Sequence, residues 1–243
     1  LAEMIRQNQN IGGLSLNGTE IKISSYADDT TILLDGTPQS LRECMRCMHI
    51  FEGASGLQLN KSKTQAMWIG SNCDRSDSIC PEIEIQWTKG PVEYLGIKVN
   101  ATGTNLPELN YPYKISRLKQ KLNPWLSRGL TGYGKTHILK SEALSQLVYV
   151  MSVMEKPTRQ QLKEIETVVF KFIWNKKRDK VKRSILKSHL NRGGLKVPDP
   201  SLQADSLKAN WIRKVIDKDY KAKWKSVMMD KIFLTRNVSI FNC

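Results

Sequence analysis

Two adjacent carboxylates, Asp28 and Asp29, stand in the run Tyr26-Ala27-Asp28-Asp29 with a β-like stretch on each side. Glu20-Ile21-Lys22-Ile23-Ser24 precedes it and Thr30-Thr31-Ile32-Leu33-Leu34 follows. The pattern predicts a hairpin whose tip carries two negative charges. Like charges crowded at one point are unfavourable unless a cation offsets them. A divalent metal ion is the usual answer, and a metal at a hairpin tip in a basic chain suits nucleotidyl transfer. The same dipeptide is also ordinary turn chemistry, because Asp side chains accept hydrogen bonds from nearby backbone N–H groups. On these four residues alone both readings stand.

The elements around the tip follow from spacing. Leu14-Ser15-Leu16 and Ile21-Lys22-Ile23 alternate around Asn17-Gly18, a hairpin signal. Pro38 opens a helix with Leu41, Met45, Met48 and Phe51 at helical spacing, and Gly56 is its expected stop. Leu57-Gln58-Leu59 reads as a short extended piece, residues 64–69 as a strand, 71–81 as a polar loop, and 83–85 and 92–95 as further short strands. After Gly103 the pattern turns helical. Helices are expected over 113–126, with Ile115, Leu118, Leu122 and Leu126 on one face, then over 135–154, 159–174, 201–217 and 219–235. The fold class is therefore α+β, a sheet-and-helix region followed by an all-α region.

Charge divides along the same line. The chain has 243 residues and a formal net charge of +15. Residues 1–105 hold 9 Lys and Arg against 12 Asp and Glu, whereas 106–243 hold 29 against 11. A basic region interleaved with Trp, Tyr and Phe points to a polyanion, with nucleic acid as the leading partner. A solvated basic surface is the plainer alternative. The densest run is Asn175 to Arg183, with six Lys and Arg in nine residues, which can hold phosphates by charge alone. No apolar run approaches the ~20 residues of a membrane span, so no membrane role is expected. Five cysteines without a zinc-finger pairing of Cys44-x-x-Cys47 point to reduced thiols rather than a metal site.

Taken in order, several segments resemble the reverse transcriptases of non-LTR (LINE-type) retrotransposons. The match begins at Tyr26-Ala27-Asp28-Asp29 and continues through Ser55-Gly56-Leu57-Gln58-Leu59-Asn60-Lys61-Ser62-Lys63-Thr64. It then takes in Val92-Glu93-Tyr94-Leu95-Gly96-Ile97, Phe172-Ile173-Trp174-Asn175 and Gly193-Gly194-Leu195-Lys196-Val197-Pro198-Asp199. The resemblance implies a partial polymerase palm, an antiparallel sheet with a helix, followed by a helical thumb and connection. The implied boundaries are 1–103 for the palm half, 104–180 for the thumb and 181–243 for the post-thumb region.

By resemblance, Asp28 is a direct metal ligand and Asp29 supports it, for two Mg2+ ions that join a primer hydroxyl to an α-phosphate. Lys63 lies where the family carries a Lys near the incoming triphosphate, and is expected to stabilise the leaving group. Tyr26 and Ala27 would line the turn beside the primer end. Tyr94, Leu95 and Gly96 would form the hairpin that positions the primer. Lys114, Arg117, Lys121, Lys135 and Lys140 are spaced to reach phosphates from helix faces. The implied partners are an RNA template, a DNA primer and a dNTP, and the implied location is nuclear.

The resemblance also implies an upstream strand with a third carboxylate. Residues 1–8 read as the tail of a helix already under way, so the chain is expected to be an N-terminally truncated fragment without polymerase activity of its own. Ile32, Leu33 and Leu34 are then expected on exposed strand edges, with poor solubility. Two rivals remain: a non-catalytic RNA- or DNA-binding fragment, and an intron maturase-like relative.

Overall fold

A computed structural model of the chain describes residues 1–16 and 18–222, with 224, 225 and 228 beyond them. Most of the expected helix over 219–235 and Asn17 of the first turn lie outside the described residues, and residues 219–222, where that helix was expected to begin, are not helical. The fold is α+β. Two compact units divide it, one built on Leu1–Gly103 and the other spanning Thr104–Tyr220.

The first unit is a set of two-stranded ladders on a small core. Strands β1 (Leu14–Leu16) and β2 (Thr19–Ile21) pair antiparallel, as do β3 (Ile23–Tyr26) and β4 (Asp29–Ile32). Leu33 N–H donates to the Lys22 carbonyl at 2.8 Å, which adds a rung below the second ladder. Ile23 of β3 is buried with Ile5 of helix α1 (Ala2–Gln7), Ile11, Cys44 and Cys47, and Ile32 and Leu34 pack against that cluster. All three side chains expected on exposed edges, Ile32, Leu33 and Leu34, are instead half-buried, and α1 covers the face that Ile32 and Leu34 share.

Helix α2 (Pro38–Ser55) starts and stops where its punctuation dictates. Thr37 accepts from Ser40 N–H, Pro38 occupies the first turn, and Gly56 ends it at φ 73°, a left-handed conformation that disfavours a side chain. Its inner face differs from the expected stripe: Leu41, Cys44 and Cys47 are buried, and Met45 and Phe51 only partly so. Burial pushes the Cys44 thiol up to about 12, so it is protonated at neutral pH.

Strand β5 (Gln65–Ala66) is shorter than the stretch expected over 64–69, and no strand forms over 83–85; the pairing falls just after it, at β6 (Gln86–Trp87), which runs parallel to β5 and departs from an all-antiparallel sheet. Side chains take over from the ladder here. Trp68 and Trp87 pack with ring centroids 5.2 Å apart, Arg75 lies 4.0 Å above Trp68, and Trp68 Nε1 donates to the Asp77 carbonyl at 2.9 Å. Strands β7 (Val92–Tyr94) and β8 (Ile97–Val99) close the unit as an antiparallel hairpin.

The second unit is helical: α3 (Leu106–Leu122), α4 (Gly132–Ile138), α5 (Ser145–Val153), α6 (Arg159–Ile173), α7 (Arg183–Lys187) and α8 (Pro200–Ile216). Helix α3 begins seven residues before the expected start, because Pro107 sits in a first turn that has no N–H to lose. The expected continuous helix over 135–154 is divided by a π-helical turn, Leu139–Ala143, in which Leu144 N–H reaches the Leu139 carbonyl at 2.8 Å. The wider turn keeps Leu139, Ala143, Leu144, Leu147, Val150 and Met151 all in the core. Thr158 and Gln161 form a reciprocal cap at the start of α6. Lys187 of α7 bonds Glu166 of α6 at 2.6 Å and Asp199, the α8 cap, at 2.7 Å. These contacts run across the boundary expected after Lys180, and both sides of it belong to one unit.

Candidate active-site hairpin

The acidic hairpin is a tight one. Tyr26 pairs with Asp29, leaving Ala27 and Asp28 as the two turn residues. Ala27 has φ 53°, the left-handed conformation that lets strands with a right-handed twist reverse direction in two residues. Both carboxylates are exposed, and neither has a hydrogen bond or ion pair among the described residues. Turn chemistry of the Asx kind is therefore not what these side chains do, which leaves their charge available to a cation.

The hairpin base is anchored from both sides. Lys22, 8% exposed, donates through Nζ to the Asn8 carbonyl at 3.0 Å and the Arg6 carbonyl at 3.4 Å, and pairs with Glu20 at 3.2 Å. It thereby caps the end of α1, whose last carbonyls lack helical partners. At the other end, Asp35 N–H donates to the Gly12 carbonyl at 2.9 Å, and Gly12 N–H donates to Ser40 Oγ at 2.9 Å. Burial alone would raise the Asp35 carboxyl, but hydrogen bonds from Thr37 and Ser40 outweigh it and hold it below the usual carboxylate range. Asp35 thus stays ionised and ties β4 to the start of α2.

The Tyr-Leu-Gly hairpin comes to the same strand. The hydroxyls of Ser24 and Tyr94 lie 3.2 Å apart. Ser24 and Tyr26 are two residues apart on β3 and so share a face. Tyr94 therefore joins the hairpin on the side that presents Tyr26, which is 70% exposed. Its own turn, Leu95-Gly96, has φ values of 48° and 75°, both left-handed. Glycine takes that conformation freely, whereas leucine is strained by about 1–2 kcal/mol. Ser24 went unnoticed in the sequence; the alternation that places it on the Tyr26 face was the available signal.

Lys63 is exposed in the turn after residue 60. That turn is built by Asn60, whose Oδ1 accepts from Lys63 N–H at 3.2 Å and from Ser62 Oγ at 2.7 Å. Lys63 has no contact with Asp28 or Asp29 in the structure. Asn60 has a structural part, and Lys61 sits 3.9 Å from Glu84.

Of the five basic residues expected to reach phosphates, four are on the surface of the second unit. Lys114, Arg117 and Lys121 form one stripe along α3, with Arg117 5.9 Å from the Tyr113 ring and Lys121 3.9 Å from Glu142. Lys140 lies on the rim of a cleft of about 450 Å³ shared with Lys187, Pro198 and Gln203. Lys135 is a correction. It is 5% exposed, and its Nζ donates to the Ile173 carbonyl at 2.8 Å and to Asn175 Oδ1 at 2.6 Å. Burial lowers its pKa. Its ammonium is the cap of α6 and does not reach a phosphate.

Residues 1–99 match the family described as reverse transcriptase (RNA-dependent DNA polymerase). The match covers both hairpins and the Asn60 turn, and ends four residues before Gly103, the last residue of the first unit's main segment. That family generally uses divalent metal ions on nucleic-acid templates with dNTP substrates. Among the described residues no group of three His, Cys, Asp or Glu is placed to hold a metal. Two free carboxylates on adjacent residues still suit Mg2+, which commonly takes one or two carboxylates and fills its shell with water and phosphate oxygens. No described helix is long and apolar enough to cross a membrane.

Proposed function

We propose that the Asp28-Asp29 hairpin is the metal-binding turn of an RNA-directed DNA polymerase of the non-LTR retrotransposon type. The observation that carries this is a pair of unpartnered, exposed carboxylates at a two-residue turn, bonded through Ser24 to the Tyr94 hairpin, within the stretch that matches the reverse transcriptase family.

Asp28 and Asp29 would hold Mg2+, which supplies charge stabilisation for an attacking primer hydroxyl and a departing pyrophosphate. The chain's own residues do the positioning. The left-handed Ala27, with only a methyl group, leaves room for a primer end beside the carboxylates. Tyr26 offers an exposed ring and hydroxyl on the face that Tyr94 shares. The Ser24–Tyr94 bond fixes the second hairpin against the first, so that Leu95 and Gly96 form the grip. Lys63 is assigned to the triphosphate, reaching it from an exposed turn. The helical unit is assigned to the thumb and connection, with Lys114, Arg117, Lys121 and Lys140 facing the template–primer backbone.

Two carboxylates at one turn bind a single metal weakly, and two-metal chemistry needs more ligands than this turn supplies. The chain by itself is therefore expected not to extend a primer. The test has two parts. Mn2+ titrated into the labelled chain should broaden the amide signals of residues 25–30 selectively, and Asp28→Asn should remove that broadening. Unselective broadening, or an unchanged response in the variant, rejects the assignment of the hairpin. Primer extension on an RNA template by the wild-type chain, absent in Asp28→Asn, would instead reject the statement that it is inactive alone.

A further inference from the structure

The basic run after α6 is not a loose tail. Its first residues are locked by an unusual backbone. Asn175 and Lys176 are consecutive non-glycine residues in the left-handed region, with φ of 49° and 62°. Such a pair persists only where its surroundings hold it. Here Lys176 N–H donates to the Lys171 carbonyl at 2.7 Å and Lys177 N–H to the Trp174 carbonyl at 3.0 Å. The buried Lys135 completes the arrangement by holding Asn175 Oδ1 at 2.6 Å. The chain is thus folded back at the end of α6.

The result is a cleft of about 290 Å³ lined by five basic residues, Lys171, Lys176, Lys177, Arg178 and Arg183, with Thr167 and a single carboxylate, Asp179. Arg183 is already engaged, at 2.8 Å from Asp179, 3.4 Å from Glu166 and 4.8 Å from the Phe170 ring. Lys171, Lys176, Lys177 and Arg178 have no anionic partner among the described residues, and all four are exposed. The negative end of the α6 dipole favours cations at this place, so their gathering is tolerated without an internal counter-charge. None of the residues lining the cleft is a large exposed hydrophobic.

We propose that this cleft is a seat for the phosphodiester backbone of a nucleic acid. The inference rests on the nucleic-acid reading above and adds where the backbone is gripped, a place distinct from the α3 stripe and Lys140. Four uncompensated cations in one concavity call for a ligand that brings several separate negative charges on a narrow ridge, as successive phosphates do. An anionic membrane presents a broad surface that is met by protruding apolar and basic residues, and a cleft without apolar lining does not suit it.

The experiment is fluorescence anisotropy of a labelled RNA–DNA hybrid with the full chain, over a series of salt concentrations, with neither metal nor nucleotide present. The variant Lys176→Ala/Lys177→Ala/Arg178→Ala should bind at least about ten-fold more weakly, and its slope of log affinity against log salt should fall by about 2–3, as loss of that many phosphate contacts requires. Far-UV circular dichroism should show the same helix content and melting as wild type, since the three side chains are exposed. Unchanged affinity and slope in this variant overturn the proposal. So does a wild-type chain that fails to bind the hybrid or prefers phosphatidylserine vesicles to it. A hairpin that fails its metal test leaves the anisotropy result untouched, so the two assignments fail separately.

Discussion

The two units use their residues in opposite ways. The first places its chemistry at the tips of short ladders. Its candidate carboxylates sit at a two-residue turn, and its second hairpin meets the first through an exposed hydroxyl pair. Among the described residues the second unit buries roughly twice as many apolar side chains as the first, among them Tyr111, Leu118, Leu147 and Phe170, and it carries its charge on helices. The lesson concerns where precision comes from. In the first unit it depends on a few polar anchors, Lys22, Asp35 and Ser24. In the second it comes from packing, and the polar anchors serve to end helices.

That contrast can be broken by mutation. Leu147, fully buried, should show the largest effect: Leu147→Ala is expected to cost about 3–5 kcal/mol in urea unfolding followed by far-UV circular dichroism. Mn2+ broadening at residues 25–30 should survive it at low denaturant, and its loss would show that the hairpin depends on the helical core after all. Lys135→Ala should follow at about 2–3 kcal/mol, because it leaves the Ile173 carbonyl and Asn175 side chain without their buried partner. A neutral result would mean that removing a desolvated ammonium compensates for the lost bonds.

The acid limb should also distinguish the units. Burial alone would raise the Asp199 carboxyl, but its bonds from Lys187, Leu202 N–H and Ser201 N–H outweigh this and hold it below the usual range. The stability from that depressed value is fully present above the unfolded pKa of about 3.9 and is lost as pH falls through the folded one. Helix loss on titration below pH ~4 should therefore be blunted in Asp199→Asn relative to its own neutral-pH stability. An identical acid profile would reject the role of this carboxylate. The smallest effect is expected at Leu95, where Leu95→Gly relieves the left-handed strain and should stabilise the β7–β8 hairpin by up to about 1 kcal/mol, measured by amide exchange. Faster exchange there would mean that the leucine side chain holds the turn more than its backbone strains it.

How much of this was legible depended on the kind of signal. Gly56 and Thr37 bounded α2 because capping is a local matter, and Ile115, Leu118 and Leu122 marked the inner face of α3 because a stripe is a local pattern. The reversal at the acidic dipeptide was legible too, but not its register: the turn is Ala27-Asp28 with Asp29 already in β4, and Leu95, expected to end a strand, sits in a turn. The inner face of α2 was not, since Cys44 and Cys47 pack where the larger Met45 and Phe51 were expected. The π-helical turn at 139–143 left no mark in a continuous apolar pattern. The parallel pairing of β5 with β6 rests on contacts between Trp68, Arg75 and Trp87 that no local pattern announces. Lys135 was misread because charge and spacing cannot distinguish a lysine that faces water from one that faces a carbonyl. At the candidate site, residue types revealed the carboxylates, but only the fold revealed that Ser24 joins the two hairpins.

Lys135 has two counterparts. Lys22 caps the end of α1, and Lys208 donates to the Met154 carbonyl and, at 3.3 Å, to the Ser152 carbonyl at the end of α5. These three amines should behave differently from the exposed lysines toward acylating reagents. Acetic anhydride or an N-hydroxysuccinimide ester needs a free, deprotonated and accessible amine, and each of these Nζ atoms is engaged by backbone oxygen. Their labelling rates would then report the opening of the helix ends they close, and mass-spectrometric footprinting could follow the fraying of α1, α5 and α6 one helix at a time.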